Sequence, residues 1–220
     1  MKKIIFSLFV VFTTLFSLTF EEVKDIEKKY GDNDALPLYK KLAEQNDVEA
    51  MFELARIYLE GKVVKRNYYS AKQLLESASE RNHDKSTYYL GKLYLLKKAP
   101  YYDPVKAYNT FVIAANNDYA PAQNMIGQFL VNGIAVDKDY ILAVKLFEKA
   151  SKQGYIEAQC NLAFMYASGK GVFPNFGRAH QFAKKGKEEG NKRCIKVWND
   201  YNLEKYPEDK GWKFNFYTQP

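Results

Sequence analysis

The sequence predicts an all-α protein: a right-handed α/α solenoid of stacked helical hairpins, about four 36-residue repeats with a half-repeat at each end. Three observations predict it. The pairs Leu54-Ala55, Leu90-Gly91, Ile126-Gly127 and Leu162-Ala163 recur at intervals of 36 without slippage. Three more registers keep the same interval: Tyr58, Tyr94, Leu130 and Tyr166; Ala71, Ala107, Ala143 and Ala179; Ala78, Ala114, Ala150 and Gly186. Within a unit the spacing is helical, since Ala158, Leu162 and Tyr166 fall four residues apart on one stripe. Self-similarity at such a period marks stacked supersecondary units, because one helical hairpin cannot bury its apolar face alone.

Composition agrees with a folded chain. At 47% hydrophobic and 16% aromatic, the 220 residues are too apolar for a disordered protein, and 12 Gly with 7 Pro exclude collagen. Two Cys exclude a disulfide-dense miniprotein. The net charge of +7 is spread rather than striped, as in Lys184-Lys185-Gly186-Lys187-Glu188-Glu189, so no nucleic-acid partner is expected.

The elements follow in order. Met1-Lys2-Lys3 and the apolar run Ile4 to Leu18, closed by Glu21-Glu22, have the form of a secretory signal, assigned to residues 1–19. The run is short of the roughly 20 residues a spanning helix needs. Small residues at Ser17 and Thr19 allow cleavage; uncleaved, the segment would tether the chain to a membrane, the one membrane contact expected. The expected location is periplasmic or secreted, where disulfides persist. A lead-in occupies 20–33, the solenoid 34–206 and an aromatic tail 207–220.

Each full unit reads as two helices. Gly61, Gly133 and Gly169 end the first, as residues free to adopt a left-handed conformation. Asn67, Asp103, Asp139 and Asn175, one period apart, suit N-caps of the second, and Pro104 fits the position after one of them. Asn82, Asp118, Gly154 and Gly190 end the second helix, all types that tolerate positive φ. Ala or Gly at 55, 91, 127 and 163 lets paired backbones approach. Leu74, Phe111, Leu146, Phe147 and Phe182 fill the space between hairpins.

This pattern, Ala-x-x-x-Leu-Gly/Ala-x-x-Tyr-x-x-Gly followed by a cap and two spaced Ala, resembles the Sel-like repeat, a relative of the tetratricopeptide repeat. The stretch Ala158 to Gly190, with Gly169-Lys170-Gly171-Val172, carries it most clearly. Half-repeats flank the full units, from Ala35, Leu38, Leu42 and Asn46 on one side and from Lys192 to about Leu203 on the other. The second unit departs: Lys97 replaces the capping Gly, and a loop with Tyr101 and Tyr102 follows, read either as a contact loop or as a drifted connector. The resemblance implies a protein-interaction scaffold. Exported members with cysteines are similar to cysteine-rich Hcp-type proteins, some described as acting on β-lactams, so a cell-wall-directed enzyme is the alternative. No serine has Lys three residues later, which argues against that chemistry. A membrane-tethered part of an envelope machine is the second alternative. His83 and His180 offer no metal spacing, and no metal or cofactor is expected.

Cys160 and Cys194 are 34 apart, two short of a period, on first helices of neighbouring units. Two residues turn a helix by about 200°, so the forward side of one helix can meet the back of the next, and a disulfide fits. Alternatively both are small apolar residues, because Cys194 sits where Ala122 and Ala158 do. A groove along the first helices is the candidate partner-binding surface, for another protein or a peptide: Phe52, Arg56, Tyr88, Tyr89, Lys92, Asn124, Gln128 and Phe164. Aromatic anchors and cations there suit capture of a protein segment. Trp212, Phe214 and Phe216 in the tail alternate with polar residues, and the tail either caps the last helix or extends to a partner.

Overall fold

A computed structural model describes residues 18–209 and 211. Most of the signal segment, and the aromatic residues of the tail, Trp212, Phe214 and Phe216, lie outside the described residues. The described chain is all helical: α1 (Phe20–Tyr30), α2 (Asp32–Glu44), α3 (Val48–Glu60), α4 (Tyr68–Ser79), α5 (Asp84–Tyr94), α6 (Pro104–Asn116), α7 (Ala120–Asn132), α8 (Tyr140–Lys152), α9 (Ile156–Ser168), α10 (Phe176–Glu188) and α11 (Lys192–Asp200). A 3-10 turn at Leu203–Lys205 follows. There is no strand among the described residues. The chain forms two compact units, Met1–Leu90 and Gly91–Pro220, the division falling inside α5.

Consecutive helices pack on one another from α1 to α4 in the first unit and from α6 to α11 in the second, where α9 also packs on α11 two helices on. This is the hairpin stacking that the 36-residue period requires. The caps fall where the spacing predicts. Asn67, Asp103, Asp139 and Asn175 each accept the backbone N–H three residues on, at 2.9–3.0 Å, starting α4, α6, α8 and α10. Gly61, Gly133 and Gly169 close α3, α7 and α9 in the left-handed conformation. Asn82, Asp118, Gly154 and Gly190 all have positive φ. In the departing second unit α5 ends at Tyr94, Ala99 of the following loop is buried, Tyr101 is half-buried and Tyr102 exposed.

The lead-in is itself helical. Thr19 caps α1 by accepting from Glu22 N while Glu22 reaches back to Thr19 N at 2.9 Å, a reciprocal capping box. Val23 of α1 packs with Tyr39, Leu42, Met51, Leu54 and Ile57, and Leu18 and Phe20 lie against this cluster. Leu18, just before α1, and Phe20, its first residue, therefore lie against the core of the first unit.

Small residues at the helix crossings answer to the ring they face. A Cβ on Gly91 would lie 2.6 Å from the Phe111 ring, and one on Gly127 2.5 Å from the Phe147 ring. Both rings are fully buried. Where the equivalent position is alanine, at 55 and 163, the residue 20 further on is Leu75 or Ala183 rather than phenylalanine. The choice between glycine and alanine in each repeat thus matches the bulk of its partner position.

Cys160 on α9 and Cys194 on α11 form a disulfide with Cα atoms 4.7 Å apart, both completely buried. It crosses between successive first helices. Gly186 of α10 lies against it, with a Cβ there meeting the Cys194 sulfur at 2.4 Å. This explains why the repeat's alanine, at 78, 114 and 150, becomes glycine at 186.

Candidate functional site

Apart from Tyr89, the residues expected to line the groove occupy two columns of the repeat pattern, four residues apart in sequence. Positions 52, 88, 124 and 160 form the first, and it is occupied by packing. Phe52 is buried, edge-on to Tyr89 at 4.9 Å and His83 at 5.9 Å, with the Lys85 ammonium 4.1 Å from its ring centre. Tyr88 and Tyr89 are half-buried and meet edge to face at 5.7 Å. Asn124 is buried, and Cys160 holds the disulfide. Positions 56, 92, 128 and 164 form the second column and stay in reach of solvent.

Arg56, however, is committed within the first unit. Its guanidinium bonds Glu27 of α1, Asp32 at the start of α2, and Glu53 and Glu60 of its own helix, at 2.6–3.0 Å for the last three. Glu27 also accepts from Lys24 and from the buried Tyr39 hydroxyl, each at 2.7 Å. Burial alone would raise the Glu27 carboxyl, but the hydrogen bonds from Lys24 and Tyr39 outweigh it and hold it below the usual carboxylate range. Lys62, then Arg56, hold Glu60 down as well, against its burial. Burial, and the hydrogen bond to Glu27, push Tyr39 well up. Arg56 is thus a clasp joining α1, α2 and α3.

An acid dependence follows. Because Glu27 and Glu60 have depressed folded-state values, their contribution is present above the unfolded value of 4.5 and is lost as pH falls through the folded values. Thermal melts of the first unit are expected to fall steeply below pH 4.5. Arg56→Met is expected to cost about 1–2 kcal/mol at pH 7 by leaving half-buried carboxylates unpaired, and to flatten that acid limb.

One other set in the first unit has the residue types of a nucleophilic relay. His83 Nδ1 lies 2.8 Å from Ser86 Oγ, and Nε2 3.2 Å from Glu49. Ser86 is completely buried, so its hydroxyl cannot reach a substrate. The contact instead steadies the start of α5. His180 is likewise engaged, with Nδ1 2.8 Å from the Leu203 carbonyl and its ring against Trp198. Among the described residues no cluster of His, Cys, Asp and Glu is arranged to hold a metal ion.

The second unit carries an open groove of about 560 Å³ between α7, α9, α11 and the loops after α7 and α9. Gln128 and Phe164, both anticipated from sequence, line it, along with Asn132, Asn161 and Glu157. Three cations join them: Lys138, Lys170 and Arg193. Lys170 lies 5.2 Å from the centre of the Phe164 ring and 5.5 Å from that of Tyr140, and Arg193 lies 5.0 Å from Phe164. Among the described residues none of the three cations has a carboxylate within ion-pair distance. Asn161, buried to 5% exposure, donates to Asn124 Oδ1 at 2.8 Å. Asn124 therefore lies behind the groove wall and holds the side chain that forms it.

Lys138, Tyr140, Lys170 and Arg193 were not anticipated, because they come from loops and from the starts of α8 and α11 rather than from the helix columns. Lys170 stands inside the Gly-Lys-Gly-Val stretch, where its neighbours were read only as helix-ending residues.

This stacked-hairpin architecture defines a repeat protein whose side chains, not its fold, set its partner. A family model described as the Sel1 repeat matches residues 48–83, 120–155 and 156–191. The chain carries Sel1 repeats, a fold that generally mediates protein–protein interaction. It is 32% identical over 173 residues to "Chitin synthase regulatory factor 3" of Schizosaccharomyces pombe, across 72% of this chain. It is similar in structure to a Sel1 repeat protein from Oxalobacter formigenes, at 25% identity and a TM-score of 0.73 over 81% of this chain and 74% of that one. It is also similar to c5321, a protective antigen of uropathogenic Escherichia coli, at 25% identity and a TM-score of 0.75 over 84% of this chain and 41% of the antigen. The chain spans 18% and 37% of the lengths of the curated relatives it matches.

Proposed function

We propose that the protein is an exported scaffold, periplasmic or secreted, that binds another protein through the groove between α7, α9 and α11. The observation that carries this reading is the set of three cations lining the groove, two of them over Phe164, with no carboxylate partner among the described residues. Single cations lie over rings elsewhere, as Lys106 over Tyr94 and Lys187 over Trp198. Here three cations converge on one groove. Export is supported by the form of residues 1–19 and by a disulfide that an oxidising compartment would sustain.

The test compares wild type with Lys170→Glu/Arg193→Glu, two solvent-reached positions whose change leaves the helices intact. Tagged protein released from cells by osmotic shock is purified and its companions are quantified by mass spectrometry. We expect at least one companion to fall tenfold or more in the variant at an unchanged melting temperature, and the N-terminal sequence to begin after Ser17 or Thr19. Retention in the cytoplasm would overturn export. Identical companions for both proteins would overturn the groove.

A further inference from the structure

We infer that the groove takes an extended, acidic peptide segment, its backbone held by Asn161 and its carboxylates by Lys138, Lys170 and Arg193; this rests on the groove being the binding surface. The first reason is charge. Three cations face one acid, Glu157, across the groove, and a carboxylate is the counter-ion that a protein partner supplies. Arg193 adds directionality, since its planar fork can accept a carboxylate on two N–H groups at once.

The second reason is the polar atom beneath. Asn161 is buried and lines the groove, yet its amide has one bond only, the 2.8 Å donation to Asn124. Among the described residues its Oδ1 accepts from no group. Turned the other way, the amide would leave an N–H unspent, so in either orientation one polar atom is open to an occupant. That atom is not sealed from the groove, and an extended peptide, which presents N–H and C=O groups along its edge, can bond it. Gln128 stands one helical turn before Asn132, and both side chains extend the same amide-lined wall.

The third reason is the floor. Phe164 lies beneath Lys170 and Arg193, with Tyr140 beside Lys170. The rings pre-position the two cations, which lowers the ordering cost of binding. They also leave an apolar patch between the charges. In an extended segment side chains alternate, so a residue beside the acidic ones can rest on Phe164. A phosphate-rich polyanion matches the cations but neither the amide nor the apolar floor.

Panning a random octapeptide display library on purified wild type and on Lys170→Glu/Arg193→Glu tests this. We expect Asp and Glu to be enriched several-fold at two or more positions with wild type, and that enrichment to vanish or turn to Lys and Arg with the variant. Selected peptides should bind at least tenfold more weakly to Gln128→Ala or Phe164→Ala, should lose affinity as salt rises, and should be displaced by one another. Neutral or basic peptides that compete for the same groove would overturn the acidic assignment and leave the groove reading standing. No enrichment, alongside a charge-dependent cellular companion, would overturn the peptide class. No enrichment and no such companion would remove both.

Discussion

Replacing Cys160 and Cys194 together by alanine is expected to destabilise the second unit by about 3–4 kcal/mol, from the entropy of closing a 34-residue loop in the unfolded chain. In a domain of this size that lowers its melting temperature on the order of 10 °C. Reduction of wild type should reproduce the shift, and the double variant should be indifferent to reductant. The location of the loss is informative. The disulfide ties α9 to α11, the two helices that carry Phe164 and Arg193, so peptide capture should weaken with it even at temperatures where the fold survives. Gly186→Ala provides an internal check. In wild type the new methyl collides with the Cys194 sulfur, at a cost of about 1–3 kcal/mol. In the double alanine variant the sulfur is gone and the remaining contacts, to Ile156 at 3.0 Å and to the Cβ of residue 194 at 3.1 Å, are milder, so the same substitution should cost less. Melts of the four proteins, with and without reductant, decide it; equal Gly186→Ala costs in both backgrounds would contradict the geometry.

Gly127→Ala is expected to cost about 3 kcal/mol, at the upper end for inserting one methyl into a packed core. The new Cβ would sit 2.5 Å from the buried ring of Phe147. The pairing seen across the repeats names the remedy. In the first full repeat Ala55 is matched with Leu75, so Phe147→Leu should rescue Gly127→Ala while being destabilising on its own by roughly 1 kcal/mol or more. A double-mutant cycle by denaturant unfolding measures the coupling directly. Additive costs would show that the two positions do not share space.

The repeat, its caps and its turns could be read from sequence because each is imposed by local backbone chemistry and recurs every 36 residues. Asn67, Asp103, Asp139 and Asn175 have to accept amide hydrogens, and Asn82 and Asp118 have to tolerate positive φ. The disulfide was visible too, in a spacing two residues short of a period. The same spacing bears on the groove. If Cys160 faces the next unit, then Phe52, Tyr88 and Asn124, which stand whole periods before it, face forward as well and belong to packing. Their burial or half-burial follows. In the other column, from Arg56 to Phe164, Gln128 and Phe164 line the groove of the second unit. Arg56 differs because Glu27 and Asp32 reach it from 29 and 24 residues away, contacts that no periodicity announces. Lys138, Lys170 and Arg193 escaped for a related reason. Loop side chains have no phase, and where they point is settled by tertiary packing alone.

The sharpest test of the groove as the binding surface is site-specific photocrosslinking in living cells. A photoreactive amino acid is placed at Gln128, at Tyr88 and at the exposed Lys145 of α8, and the adducts are sequenced. The expected result is a discrete adduct from Gln128, with an acidic segment of the partner at the attachment point, which disappears with Lys170→Glu/Arg193→Glu. Adducts from Tyr88 or Lys145 with none from Gln128 would place partner binding elsewhere and contradict the groove.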